Sequence, residues 1–169
     1  MPQVKFYTFH SDKEVVSRLE KTKNLVARSG FKFDNPKRLK DIFNGKDKTD
    51  DKLAFLTFDD GNEDRHPEVI NFLRENNLRA LAFLNVMGYM GDSIRINWGF
   101  WKNNLDIFDI GAHSLTHSRI VTGPATAIDN STQRVQYYIN KNKGPSPYGL
   151  TNQAWRLFDA CHETTEQQN

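Results

Sequence analysis

Leu53 to Phe58 reads LAFLTF, a nearly continuous apolar run. A strand of that composition is stable where both its faces are covered, as in the parallel sheet of an α/β domain, and not where one face meets water. Three more short runs accompany it: VKFYTF (Val4–Phe9), ALAFLN (Ala80–Asn85) and IFDIG (Ile107–Gly111). Amphipathic segments separate them, and that alternation specifies an α/β fold. At 169 residues the chain suits one domain spanning 1–169. Residues 1–52 read as a strand–helix–helix part, and residues 53–165 as the part that bears the chemistry.

The segments between the strands carry helix signals. Ser11 stands three residues before Glu14, a capping-box spacing, and opens a helix with Val15, Val16, Leu19 and Val26 inward. Gly30 is placed to end it. Asn35-Pro36 opens a short helix through Leu39, Ile42 and Phe43, and the charged Lys46–Lys52 stretch reads as a solvated linker. His66-Pro67 opens a helix with Val69, Ile70, Phe72 and Leu73 inward. Further helices are expected over 98–104, 129–140 and 152–161.

Composition removes several classes of function. An apolar fraction of 37% with 12% aromatics is enough for a packed core. The formal net charge is +2, with acids and bases interleaved and no basic stripe, so no nucleic-acid partner is expected. Cys161 is the single cysteine, which rules out an internal disulfide and any CxxC metal site. No apolar stretch reaches the roughly 18 residues of a membrane span. Residues 1–11 lack a secretory apolar region, so a cytoplasmic location is expected as the chain stands, and a secreted or cell-surface one if a leader has been removed.

Three of the expected strands end in groups capable of catalysis: His10, Asp59-Asp60 and His113. Open α/β sheets and barrels build their sites at the carboxyl ends of strands. Adjacent side chains on a strand point to opposite faces, so Asp59 and Asp60 converge only if the chain turns there, and Gly61 supplies the freedom to turn. Two neighbouring carboxylates repel, and a divalent cation resolves that conflict by taking one as ligand and leaving the other to act as a base toward water. Taken alone, Asp-Asp-Gly reads first as a surface turn. His113 and His117 stand four apart, a spacing at which two imidazoles on one helical turn share an ion. Two histidines with one carboxylate suit Zn²⁺, but also other first-row metals, including the iron of an oxygenase. Spacing alone does not choose among these.

Order and context narrow the choice. Leu56-Thr57-Phe58-Asp59-Asp60-Gly61, followed by Asp109-Ile110-Gly111-Ala112-His113-Ser114-Leu115-Thr116-His117, closely resembles the polysaccharide deacetylases, the NodB-homology proteins of carbohydrate esterase family 4. Their first two motifs are TFDDG and HSxTH, and the resemblance extends over about residues 4 to 165. The resemblance implies an irregular, incomplete (β/α) barrel and a metal-dependent hydrolase that removes N-acetyl groups from a glycan containing N-acetylglucosamine. It implies Asp59 as base, and Asp60, His113 and His117 as ligands of a divalent metal, Zn²⁺ first, with Co²⁺, Mn²⁺ or Ni²⁺ as alternatives. Pro147-Tyr148-Gly149 resembles the third motif, whose aromatic residue offers its backbone N–H to the oxyanion. The N-terminal order of strand, His10 and two helices resembles the branch acting on poly-N-acetylglucosamine, which implies His10 as general acid. Pro147, Tyr148 and Trp98 are then candidates for substrate contact.

Two departures suggest the first of two rival readings. Lys143-Gly144-Pro145-Ser146 stand where the family's third motif usually brings an arginine, and a complete barrel takes about 250 residues. A degenerate, non-catalytic sugar-binding member is one alternative. A metal-dependent amidase for a small non-sugar substrate is the other.

Overall fold

The computed structural model describes residues 2–85 and 97–113. In chain order the elements are β1 (Gln3–His10), α1 (Val15–Arg28), β2 (Lys32–Phe33), α2 (Leu39–Phe43), β3 (Lys52–Asp60), α3 (Pro67–Glu75), β4 (Ala80–Leu84), α4 (Trp98–Asn103) and β5 (Phe108–Ala112). The strands form one sheet in the order β1-β3-β4-β5, and every pairing is parallel. The α/β class expected from the apolar runs is therefore the class observed. The remainder of the expected barrel, and the helices expected over 129–140 and 152–161, lie outside the described residues.

β3 is the centre of this arrangement. β1 runs beside it from Gln3↔Lys52 to His10↔Asp59. β2 touches the first part of β3 through Lys32↔Leu53 and Phe33↔Ala54, and β4 joins further along, from Leu56↔Ala80 to Asp60↔Leu84. Leu53 to Asp59 is buried throughout, as the apolar run required.

Alternation along the strands divides the core in two. Leu56, Phe58, Ala80, Ala82, Leu84, Phe108 and Ile110 face a layer made by Val15 and Leu19 of α1, Val69, Phe72 and Leu73 of α3, and Trp101 of α4. Leu53, Phe55, Leu81 and Phe83 face the other way, together with Leu39 of α2. Burying each such Leu or Phe side chain contributes roughly 1.5–3 kcal/mol, so the helix-covered face is the larger source of stability.

Two local expectations are corrected, and one strand is unforeseen. Ser11 and Glu14 form no capping box: α1 begins at Val15, its N-cap Glu14 makes no side-chain cap, and the Asp12 carboxylate accepts the Glu14 N–H at 2.8 Å. Ser11 instead donates to Oε1 of Glu63 at 3.0 Å. An exposed cap is worth only about 1 kcal/mol, whereas a buried carboxyl left without hydrogen bonds costs more, and the long-range bond wins. β2 has no signature in the sequence, because a two-residue strand is too short to show a period. The Lys46–Lys52 stretch is no free linker. Arg38 donates to Asp34 and Asp51 at 2.7 Å and to Asp47 at 2.6 Å, and also reaches Thr49. The guanidinium holds the carboxyls of Asp47 and Asp51 below the usual carboxylate range.

Candidate active site

The site lies where β1, β3 and β5 end. β1 and β3 keep register to their last residues, so His10 sits opposite Asp59 and Thr8 opposite Thr57. The Thr8 and Thr57 hydroxyls are 2.8 Å apart, which places both residues, and with them His10 and Asp59, on one face of the sheet.

Strand alternation alone would send the Asp60 side chain to the opposite, helix-covered face. The backbone prevents this: Asp60 has φ 74° and Gly61 φ 80°. Left-handed backbone is uncommon outside glycine, although Asp tolerates it better than most residues, and the following glycine adopts it freely. The turn brings both carboxylates to one imidazole. His10 Nε2 is 4.0 Å from Oδ2 of Asp59 and 3.9 Å from Oδ2 of Asp60.

His113 arrives from two strands away. It follows the last residue of β5, and its backbone N–H donates to the Leu84 carbonyl at 3.0 Å, which extends the sheet ladder by one bond. Its Nε2 lies 3.5 Å from Oδ1 of Asp60. Asp59 is sealed, with 2% of its side chain exposed, while the His10 ring is 49% exposed. The group therefore has a buried floor and an open side.

Four of the candidate residues thus converge: His10, Asp59, Asp60 and His113. Trp98 does not join them; it opens α4 and packs, half-buried, against the helix-covered core. His66 accompanies Glu68 at 3.1 Å at the start of α3, in keeping with its reading as a helix-start residue. His117, Pro147 and Tyr148 lie outside the described residues.

Sequence reasoning missed Glu63. It sits in the short 3₁₀ turn after Gly61, is 0% exposed, and accepts the Ser11 hydroxyl. Burial pushes its carboxyl up to about 8, the charges of Asp60 and Asp59 push the same way, and the bond from Ser11 opposes them. In the sequence Glu63 is one polar residue in the stretch Gly61-Asn62-Glu63-Asp64-Arg65. Nothing local distinguishes it from a surface turn.

The donor set suits a divalent cation. Bonds of about 2.0–2.2 Å at a tetrahedral angle place two ligand atoms roughly 3.3–3.6 Å apart. The 3.5 Å between His113 Nε2 and Asp60 Oδ1 is close to that separation. Among the described residues no three His, Cys, Asp or Glu side chains make a complete ligand set, and the third expected ligand, His117, lies outside them.

Known proteins share this arrangement of strands. The polysaccharide deacetylase family model matches residues 46–156. A peptidoglycan-N-acetylglucosamine deacetylase of Bacillus cereus is 30% identical over 118 residues, which cover 67% of this chain and 40% of that protein. The chain thus spans well under half the length of that curated relative. Among solved structures, IcaB from Ammonifex degensii superposes with a TM-score of 0.66 at 18% identity, covering 86% of this chain and 72% of the other. A de-N-acetylase from Aggregatibacter actinomycetemcomitans superposes with a TM-score of 0.65 at 16% identity, covering 86% and 76%. At such identities the superpositions establish the fold, which is that of these deacetylases. With a family model that takes in both the Asp59-Asp60 turn and His113, the chain belongs to the polysaccharide deacetylase family.

Proposed function

We propose that this protein is a metal-dependent N-deacetylase acting on a polymer or oligomer that contains N-acetylglucosamine. The observation that carries the proposal is the convergence of His10, Asp59, Asp60 and His113 at one end of a parallel sheet, in a chain of the polysaccharide deacetylase family. The Bacillus cereus relative, a deacetylase of peptidoglycan N-acetylglucosamine, supports the sugar.

Asp60, His113 and His117 would hold the metal, Zn²⁺ first, with Co²⁺, Mn²⁺ or Ni²⁺ as alternatives. Such an ion supplies Lewis acidity, which makes water a better nucleophile and draws electron density from the acetyl carbonyl. Asp59, almost wholly buried at the end of β3, would take a proton from the attacking water as its oxygen bonds to the carbonyl carbon. The backbone N–H of Tyr148 is assigned to the oxyanion of the tetrahedral adduct. His10, on the open side, gives a proton to the departing sugar nitrogen as the C–N bond breaks, leaving acetate and a free amine. Histidine suits that role because its type titrates near neutrality.

The test is acetate release from N-acetylglucosamine oligomers of several lengths, with each of the four metals added to chelator-treated protein. Metal-stimulated release that Asp59→Asn abolishes is the expected result. Tight metal binding with no release from any oligomer would overturn the proposal.

A further inference from the structure

His10 is the last residue of β1 to pair with β3, and its ring is half exposed, so neither the ladder nor packing fixes it. The chain just beyond it is held by side chains. Arg18 donates to the His10 carbonyl at 2.8 Å and to Asp12 at 2.9 Å, but these contacts are solvent-exposed and therefore weak. The other tie is Ser11 Oγ to Glu63 Oε1 at 3.0 Å, and Glu63 is completely buried. That bond joins the residue after His10 to the turn after Asp60-Gly61, so it spans the two chain segments whose spacing places the imidazole over the carboxylates.

We infer that Glu63 is a positioning residue for His10: through Ser11 its buried carboxyl fixes the end of β1, and so holds the imidazole over Asp59 and Asp60. The inference rests on the reading of His10 as proton donor. A carboxyl buried beside two other acids is a poor choice for stability alone, since an apolar side chain of similar volume fills such a place at lower cost. Its Oε2 has no hydrogen-bond partner among the described residues, so Ser11 is the side chain it demonstrably serves. Burial also keeps Glu63 in its neutral form up to about pH 8, so glutamine reproduces both its shape and its charge.

The experiment compares two substrates. An N-acetylglucosamine oligomer needs its leaving nitrogen protonated, whereas p-nitrophenyl acetate releases a stable phenolate without help from an acid. For Ser11→Ala and Glu63→Leu, kcat on the oligomer is expected to fall roughly ten- to a hundredfold with KM little changed, while the ester rate stays within about threefold of the parent. Glu63→Gln should retain both rates, and the double replacement Ser11→Ala with Glu63→Leu should be no slower than Glu63→Leu alone. Should Glu63→Leu fail to fold, Ser11→Ala carries the test, because it removes only one hydroxyl. Equal losses on both substrates, or a Ser11→Ala enzyme indistinguishable from the parent, would overturn the positioning role and leave the deacetylase reading intact. A parent that cleaves the ester but releases acetate from no oligomer would overturn both.

Discussion

Nε2 of His113 lies 3.5 Å from Oδ1 of Asp60, although the two residues come from strands with β4 between them. The parallel register produces the meeting: Asp60 is level with Leu84, and Leu84 is level with Ala112, the residue before His113. In the proposed ligand set, with His117 as the third member, each of these side chains would be needed to retain the metal. Asp60→Ala, His113→Ala and His117→Ala are each expected to leave little bound metal after dialysis, as read by elemental analysis. A His113→Ala protein that keeps a stoichiometric ion would refute the ligand set.

In the proposed mechanism Asp59 stands apart from that set, as the base and not a ligand. Asp59→Asn keeps the volume and the hydrogen-bonding shape but cannot take a proton, so metal content should match the parent. Turnover should fall by about a hundred- to ten-thousandfold, the usual contribution of a general base. Parallel measurement of bound metal and acetate release checks this, and an active asparagine variant would remove Asp59 from the mechanism.

His10→Ala should slow deacetylation while leaving the metal in place. A general acid makes the rate decline as it loses its proton, so the alkaline limb of the kcat/KM profile should flatten in the variant. An alkaline limb that survives unchanged would show that another group supplies the proton.

The turn that aims Asp60 depends on backbone more than on side chain. Gly61 at φ 80° has no Cβ to clash, and placing one there costs roughly 1–2 kcal/mol. Gly61→Ala is therefore expected to lower unfolding free energy by about that amount and to weaken metal binding, because the strain falls on the residue next to the proposed ligand Asp60. Denaturant unfolding with and without chelator measures both effects.

Glu63 makes stability fall with pH. Its carboxyl titrates near 4.5 when unfolded and near 8 when folded, so between those values the folded chain holds the extra proton. Stability contributed by this group is complete below the unfolded value and is lost as pH rises toward the folded one. Glu63→Gln removes that slope, and in chelator-treated protein its advantage over the parent should grow from about pH 5 to about pH 8. Urea midpoints across that range test this; parallel curves for the two proteins would exclude a buried, proton-retaining Glu63.

Much of this architecture was written locally. LAFLTF, ALAFLN and IFDIG supply strands because nearly continuous apolar runs are satisfied only with both faces covered. Val15, Leu19 and Val26 recur at helical spacing and are buried, as are Val69, Ile70, Phe72 and Leu73. Asp59, Asp60 and His113 stood out because each follows an apolar run, and strand ends are where such sheets place reactive groups.

Other features had no local signature, since each depends on a partner far along the chain. Ser11 carries a capping spacing, yet its hydroxyl serves Glu63, 52 residues away. Asp47 and Asp51 read as solvated charge until Arg38 gathers them into one cluster. The composition of residues 53–60 dictated a buried strand ending in two acids, but only folding chose their common direction. It did so by placing Asp60 in left-handed backbone, which brings its carboxylate to 3.9 Å from His10 and 3.5 Å from His113.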